Sequence, residues 1–219
     1  LFQRYRSQPL SLYAQAYIPT CNNSASATGS VDITAVDVKY NWGTYREFQF
    51  IEDLPNESKD VKNFKLAAYS LDARTRYSIS IVATVSVNSY TFDAKSRVVI
   101  DVAPEGVLAV IKGGASQTVS LASASIVLDG SYSRDLDYSL NDDTAPALSY
   151  IWTCIEYSPT YGNSCEGDIA GSTTSKLTIA TSGANTTLTS GRSYKFTLKV
   201  TSSFDDTLTD TTYTIATVI

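Results

Sequence analysis

Six side chains between positions 129 and 143 are of the kind that holds hard cations: Asp129, Asp135, Asp137, Asn141, Asp142 and Asp143 lie in or beside one loop. Ca²⁺ takes about six to eight oxygen ligands, and a flexible loop can wrap one ion. The spacing is not that of an EF-hand, and Asp in a turn also bonds the local backbone N–H groups. Two readings therefore stand for Asp129, Asp135, Asp137 and Asp142: a calcium loop, or a set of turn caps that needs no cofactor. Asp205, Asp206 and Asp210 form a second acidic group and read as a solvated turn.

Catalysis has little material to work with. The chain contains no His, so neither a Ser–His–Asp nor a Cys–His arrangement can be built, and a His-bearing zinc site is excluded. Gly113-Gly114 follows a strand pattern with no helix behind it, and so offers no phosphate cradle. The chain reads as non-enzymatic. Tyrosine is abundant, and it supplies contact area at low entropic cost in interfaces. Tyr157 and Tyr161 flank Ser158-Pro159-Thr160 and read as a surface for protein or glycan, whereas Tyr5, Tyr13, Tyr17, Tyr132 and Tyr138 serve equally well as covers of strand edges.

Cys154 and Cys165 have Pro159 and Gly162 between them to turn the chain back, which makes a local disulfide geometrically easy. Cys21 is left over, which points to a partner beyond these residues or to a buried thiol. Asn22, Asn56 and Asn185 each open an N-x-Ser/Thr sequon in a polar, turn-rich stretch. Disulfide and sequons together place the chain in the secretory pathway. A net charge of −5 without a dense Lys/Arg cluster provides no footprint for nucleic acid. No stretch approaches the run of about twenty apolar residues that a membrane helix needs. The opening Leu1-Phe2-Gln3-Arg4-Tyr5-Arg6 is neither a secretion signal nor a span, and no initiator Met is present. The chain reads as a processed product or an interior slice of a larger protein, with any signal peptide or membrane anchor outside it.

The elements that must position these groups come as two copies of one plan. Tyr40-Asn41-Trp42 answers Tyr150-Ile151-Trp152, and the run from Tyr77 answers the run from Tyr194, a repeat of about 110 residues, which is immunoglobulin size. Enrichment in Ser, Thr, Tyr and Val favours pleated, half-buried surfaces over helices. In the second copy, strands are expected over Gly106–Ile111, Ser125–Asp129, Leu148–Cys154, Lys176–Ile179, Tyr194–Thr201 and Thr212–Val218, with Trp152 pointing into the core. In the first, they are expected over Leu10–Ile18, Val36–Trp42, Phe64–Ala67 and a hairpin of Tyr77–Val87 with Tyr90–Val102, turning at Asn88-Ser89. Residues 22–30 and 52–62 read as loops. Pro104 marks the joint, giving domains 1–103 and 104–219. Trp42, Trp152, Tyr77 and Tyr194 are the expected core anchors of two face-to-face antiparallel β-sandwiches.

Leu108 to Gly114, then Val127-Leu128-Asp129-Gly130-Ser131-Tyr132-Ser133-Arg134-Asp135-Leu136-Asp137, then Leu148-Ser149-Tyr150-Ile151-Trp152-Thr153-Cys154, resemble the pattern of the receptor-for-egg-jelly (REJ) module and the related PKD domains. In those domains an L-D-x-S-x-S-x-D-P-D segment leads to a Y-x-W-x-C strand. The resemblance covers Gly106–Ile219 and extends to the first half on Tyr40, Trp42, Lys65, Leu66 and Tyr77. Leu136 stands where the family has Pro, and Thr44 stands where the second copy has Cys154, so the first copy lacks the local disulfide. The resemblance implies tandem immunoglobulin-like sandwiches in the outer region of a large glycoprotein on the cell or ciliary surface, as in polycystin-like channels and gamete receptors. It further implies a spacer, adhesion and assembly role with neighbouring domains as partners, or else recognition of a glycan or partner glycoprotein.

Overall fold

The computed structural model of the protein describes residues 2–17, 37–87, 90–123, 125–165, 172–181 and 188–219. These residues form fifteen strands and no helix, and the chain divides into two compact units, Leu1–Pro104 and Glu105–Ile219. Each unit is a sandwich of mainly antiparallel sheets in the immunoglobulin manner, with alternate residues of the long strands turned inward.

The first unit contains β1 (Phe2–Tyr5), β2 (Leu10–Tyr13), β3 (Val38–Arg46), β4 (Gln49–Phe50), β5 (Asn63–Leu66), β6 (Thr75–Val87) and β7 (Tyr90–Ala103). One sheet has the order β1-β7-β6-β3-β4 and the other pairs β2 with β5. Leu10, Phe64 and Leu66 from the small sheet meet Tyr77, Ile79, Ile100 and Val102 from the large one. The second unit contains β8 (Val107–Leu108), β9 (Ser116–Val119), β10 (Ser125–Asp129), β11 (Arg134–Asp135), β12 (Leu148–Ser158), β13 (Lys176–Ala180), β14 (Ser193–Ser202) and β15 (Thr209–Val218). Its large sheet runs β12-β14-β15-β9, facing the pairs β10-β13 and β11-β8. Ile126, Leu128, Leu177 and Ile179 pack there on Trp152, Phe196, Leu198 and Val200.

The two registers coincide. Trp42 lies opposite Ile81 and Trp152 opposite Leu198, in each case four residues past the tyrosine that leads the next strand. Both indole N–H groups donate to a carbonyl of the facing sheet's approach, Trp42 to Val61 at 2.9 Å and Trp152 to Thr174 at 3.0 Å. The last strand of each unit also gains a parallel neighbour, β1 on β7 and β9 on β15. Those two short strands escape sequence reading because each has only four residues with little burial, so neither carries an apolar alternation. Of the expected strand Gly106–Ile111 only Val107–Leu108 pairs with a neighbour, although Val107, Ala109 and Ile111 are all buried. The expected loop over 22–30 and the turn at Asn88-Ser89 lie outside the described residues.

The tryptophans are not equivalent. Trp152 is fully enclosed, whereas Trp42 is partly buried at the margin of its core, its ring tilted against Phe64 at 5.4 Å. The centre of the first unit is Phe64 with Tyr77 instead. In the second unit the enclosure is tight enough to require a glycine: a Cβ on Gly130 would stand 2.6 Å from Leu198 Cδ2, 3.0 Å from the Ser175 carbonyl oxygen and 3.1 Å from the Trp152 ring. Gly130→Ala should therefore overpack this corner and cost the second unit about 1–3 kcal/mol. Urea unfolding followed by Trp152 fluorescence measures it, and an unshifted midpoint would mean that the sheets separate freely.

Candidate functional site

The most elaborated surface is the hairpin that follows Trp152. Alternation along β12 turns Cys154 and Glu156 inward and leaves Tyr157 outside. The chain then folds back through Gly162, whose φ of +98° suits glycine, so that the N–H of Glu156 reaches the Asn163 carbonyl at 2.7 Å and Gly162 N–H reaches the Glu156 carbonyl at 3.1 Å. Ile155 and Ser164 face each other as an isolated bridge. Cys154 and Cys165 are joined by a disulfide, their Cα atoms 5.6 Å apart. On the outer side, the rings of Tyr157 and Tyr161 meet edge to face at 5.9 Å, 44% and 68% exposed.

Beneath the hairpin the Glu156 carboxylate is buried and accepts from Arg192 Nη1 at 2.8 Å and from Asn163 Nδ2 at 3.3 Å. Arg192 leads directly into Tyr194, the opening residue of the inward row of β14. Tyr194 Oη accepts the N–H of Thr189 at 2.9 Å, five residues upstream, the tyrosine corner of immunoglobulin-like sandwiches. The first unit repeats this with other partners: Tyr77 Oη accepts the N–H of Asp72, again five upstream, at 3.1 Å. Arg46 Nη2 donates to the same hydroxyl at 3.0 Å and pairs with the Asp72 carboxylate. The residue opposite the tyrosine is thus a cation in one unit and an anion in the other, each neutralised by a charge on the incoming loop. These clamps have no signature in the sequence, since cross-strand register alone brings Arg46 to Asp72 and Glu156 to Arg192. Burial pushes the Tyr77 phenol above its ordinary range, and the Tyr77 hydrogen bond holds the proton of Arg46 more firmly than usual.

The four aspartates weighed as calcium ligands each accept a backbone N–H, three of them from the residue two places on. Asp129 accepts the N–H of Ser131 at 3.0 Å, which together with the Ser131 hydroxyl lowers its pKa, and lies 3.7 Å from Lys176 Nζ. Asp135 is buried and accepts from the N–H of Asp137 at 3.0 Å and the Ser202 hydroxyl at 2.9 Å. Asp137 accepts the N–H of Glu105 at 3.0 Å, and Asp142 that of Thr144 at 3.0 Å. Among the described residues no three acidic or Cys side chains are grouped to hold a metal ion. Asn56 is built into its turn: Nδ2 donates to the Asn63 carbonyl at 2.7 Å and Oδ1 accepts from Ser58 and Lys65 at 2.9 Å. Cys21, Asn22 and Asn185 lie outside the described residues.

A depression of about 980 Å³ in the first unit is bordered by Phe48, Arg74, Arg76, Arg97 and Asp101. Arg76 is bound to Asp101 through two contacts of 2.6 and 3.2 Å, which raises the arginine pKa and lowers that of the carboxylate.

A family model for the REJ domain matches residues 30–218. No curated protein matches the chain. Among solved structures it is similar to a chimeric titin Z1Z2-Z1Z2 tandem, at 14% identity over 100% of this chain and 93% of that one, with a TM-score of 0.27. It is similar also to human protocadherin-24 EC1-2, at 16% identity over 86% and 84% of the two chains and a TM-score of 0.33. A third is the three N-terminal domains of the bacteriophage RB49 outer capsid protein Hoc, at 13% identity over 99% and 66%, with a TM-score of 0.30.

Two outcomes follow from the corner and the staple. Because the folded Tyr77 pKa lies above that of the unfolded phenol, its contribution is complete below about pH 10 and is lost as pH rises through the folded value. Tyr77→Phe should flatten that alkaline loss in the first unit while costing about 1–3 kcal/mol at neutral pH, where the Asp72 N–H loses its acceptor. Unfolding curves measured from neutral to alkaline pH with an unaltered slope would remove the phenol from the account. Reducing Cys154–Cys165 should cost the second unit about 3 kcal/mol by chain-entropy reckoning and leave the first untouched, as read by calorimetry with and without reductant.

Proposed function

This chain belongs to the REJ domain family, and on that premise we propose that it is a non-catalytic module of an extracellular glycoprotein, acting as spacer, adhesion and assembly unit. The observation that carries the reading is repetition. Two sandwiches in succession place Trp at the same register and tie Tyr to the residue five upstream, which is how a chain builds length from self-contained units. The disulfide supports an oxidising compartment. The lack of any His, together with aspartates occupied by turns, supports a role without chemistry. Its partners on this reading are neighbouring domains of the same or other surface glycoproteins, on the cell body or cilia, and a membrane anchor would lie outside these residues.

A second reading is favoured by one feature, the Tyr157–Tyr161 pair. Two exposed aromatic rings on a disulfide-stapled hairpin form a preorganised contact surface, so glycan or glycoprotein recognition is its natural use. One pair of measurements separates the readings. Pulled from its ends, a spacer gives two discrete unfolding steps, one per unit, and binds nothing on a glycan array. Array binding that is lost in Tyr157→Ala/Tyr161→Ala with both steps intact would replace the spacer with a receptor module.

A further inference from the structure

Asn56 opens an N-x-Ser sequon, yet its side chain stands in for a strand. β5 (Asn63–Leu66) pairs with β2 along one edge, and among the described residues no strand pairs with the other. That second edge presents the carbonyl of Asn63, both backbone groups of Lys65 and the N–H of Ala67, and the dipeptide Asn56-Glu57 meets all four. Asn56 Nδ2 donates to the Asn63 carbonyl at 2.7 Å, and Asn56 Oδ1 accepts the Lys65 N–H at 2.9 Å. The Glu57 N–H reaches the Lys65 carbonyl at 3.0 Å, and Glu57 Oε1 accepts the Ala67 N–H at 3.3 Å. Left unmet, such an edge is a template for pairing with other chains.

The amide lies along the edge as a peptide group would. The Asn63 carbonyl and the Lys65 N–H belong to the same side of β5, and Asn56 meets them with both heteroatoms of one planar amide. The hydrogen given to Asn63 is therefore the one on the Oδ1 side of Nδ2. An N-linked sugar takes that same position, because the substituted amide keeps the trans arrangement of a peptide bond, with the sugar C1 across from Cβ and beside Oδ1. The third residue of the sequon is engaged as well. The Ser58 hydroxyl donates to the Asp60 carbonyl at 3.1 Å and accepts the Asp60 N–H at 3.2 Å, while the Ser58 N–H is turned back to Asn56 Oδ1 at 2.9 Å.

We propose that the first unit folds without a glycan at Asn56, and that modification there and closure of the β5 edge exclude one another. Transfer from a lipid-linked donor joins Nδ2 to the sugar C1 and releases one amide proton and the lipid diphosphate, so it consumes the N–H that the Asn63 carbonyl takes up in the fold. Asn63 and Lys65 follow the sequon by seven and nine residues, so the lock forms only after the chain beyond the sequon has emerged. Folding and transfer compete for one nitrogen: a chain modified first keeps an open β5 edge, and a chain folded first hides the acceptor. The inference goes beyond the module reading and stands apart from it, since a glycan at Asn56 would leave a spacer role intact, and a failed adhesion assay would leave the edge lock intact.

The test expresses the full chain behind a cleavable signal peptide in a eukaryotic cell line and reads Asn56 by glycopeptide mass spectrometry. Two variants accompany it. Ser58→Thr keeps Asn56 and makes the sequon a better acceptor, whereas Phe64→Ala removes the side chain at the centre of β5, which is 1% exposed, and so delays or prevents the lock. Secreted chain should be unmodified at Asn56 with or without Ser58→Thr, and the Phe64→Ala chain retained in the cell should be occupied there. A glycan at Asn56 of secreted chain overturns the proposal. An unmodified Asn56 in the Phe64→Ala chain overturns it as well, since the sequon is then silent without the lock. In unglycosylated protein, Asn56→Ala should speed amide exchange at Lys65 roughly tenfold, the loss of one hydrogen bond of ordinary net strength; unchanged exchange there removes Asn56 from the edge.

Discussion

A tyrosine ring sealed inside each unit with its hydroxyl still bonded is the constraint on which the rest of the structure depends. Tyr77 and Tyr194 bury the ring between sheets, and burial of a phenol is tolerable only when its oxygen keeps a partner. The partner in both cases is a backbone N–H five residues earlier. That bond fixes where the crossing loop ends and where the long central strand begins. Once the strand starts there, its pairing with the Trp strand follows in one register, and the indole lands opposite the residue four places on. A slip of one residue would turn every inward side chain to solvent.

Around this shared frame each unit resolves its edges with different means. The charge opposite the tyrosine is Arg46 in one unit and Glu156 in the other, each answered by a counter-charge on the incoming loop, so the electrostatic sense is reversed while the geometry is kept. Past the Trp, the second unit continues into a disulfide-bonded hairpin, whereas the first has Thr44 at the position of Cys154 and turns directly through Glu47 and Phe48 into β4. The loops and strand ends vary, whereas the interior rows keep their register and their apolar character. That division of labour suits a repeated extracellular module whose interior is reused and whose surfaces are free to diverge.

Much of this was legible in the amino-acid order. The long strands of both units are written as alternations, and the Tyr-x-Trp and corner tyrosines occur at matching offsets, so the all-β class and the twofold plan needed no coordinates. Cys154 and Cys165 could be paired because only a short, turn-forming stretch separates them. Asp135 and Asp137 could be placed in turns but not told apart from ion ligands, because the same carboxylates serve either end until their neighbours are known.

Sequence by itself determined what is local: which residues alternate, where chain direction breaks at Pro104, and which chemistry a chain without His cannot perform. Tertiary structure alone decided what depends on the meeting of distant segments. It sealed Trp152 and left Trp42 at a margin, although the two stand in the same local pattern. Burial is a property of what lies opposite, and no period in the chain encodes that.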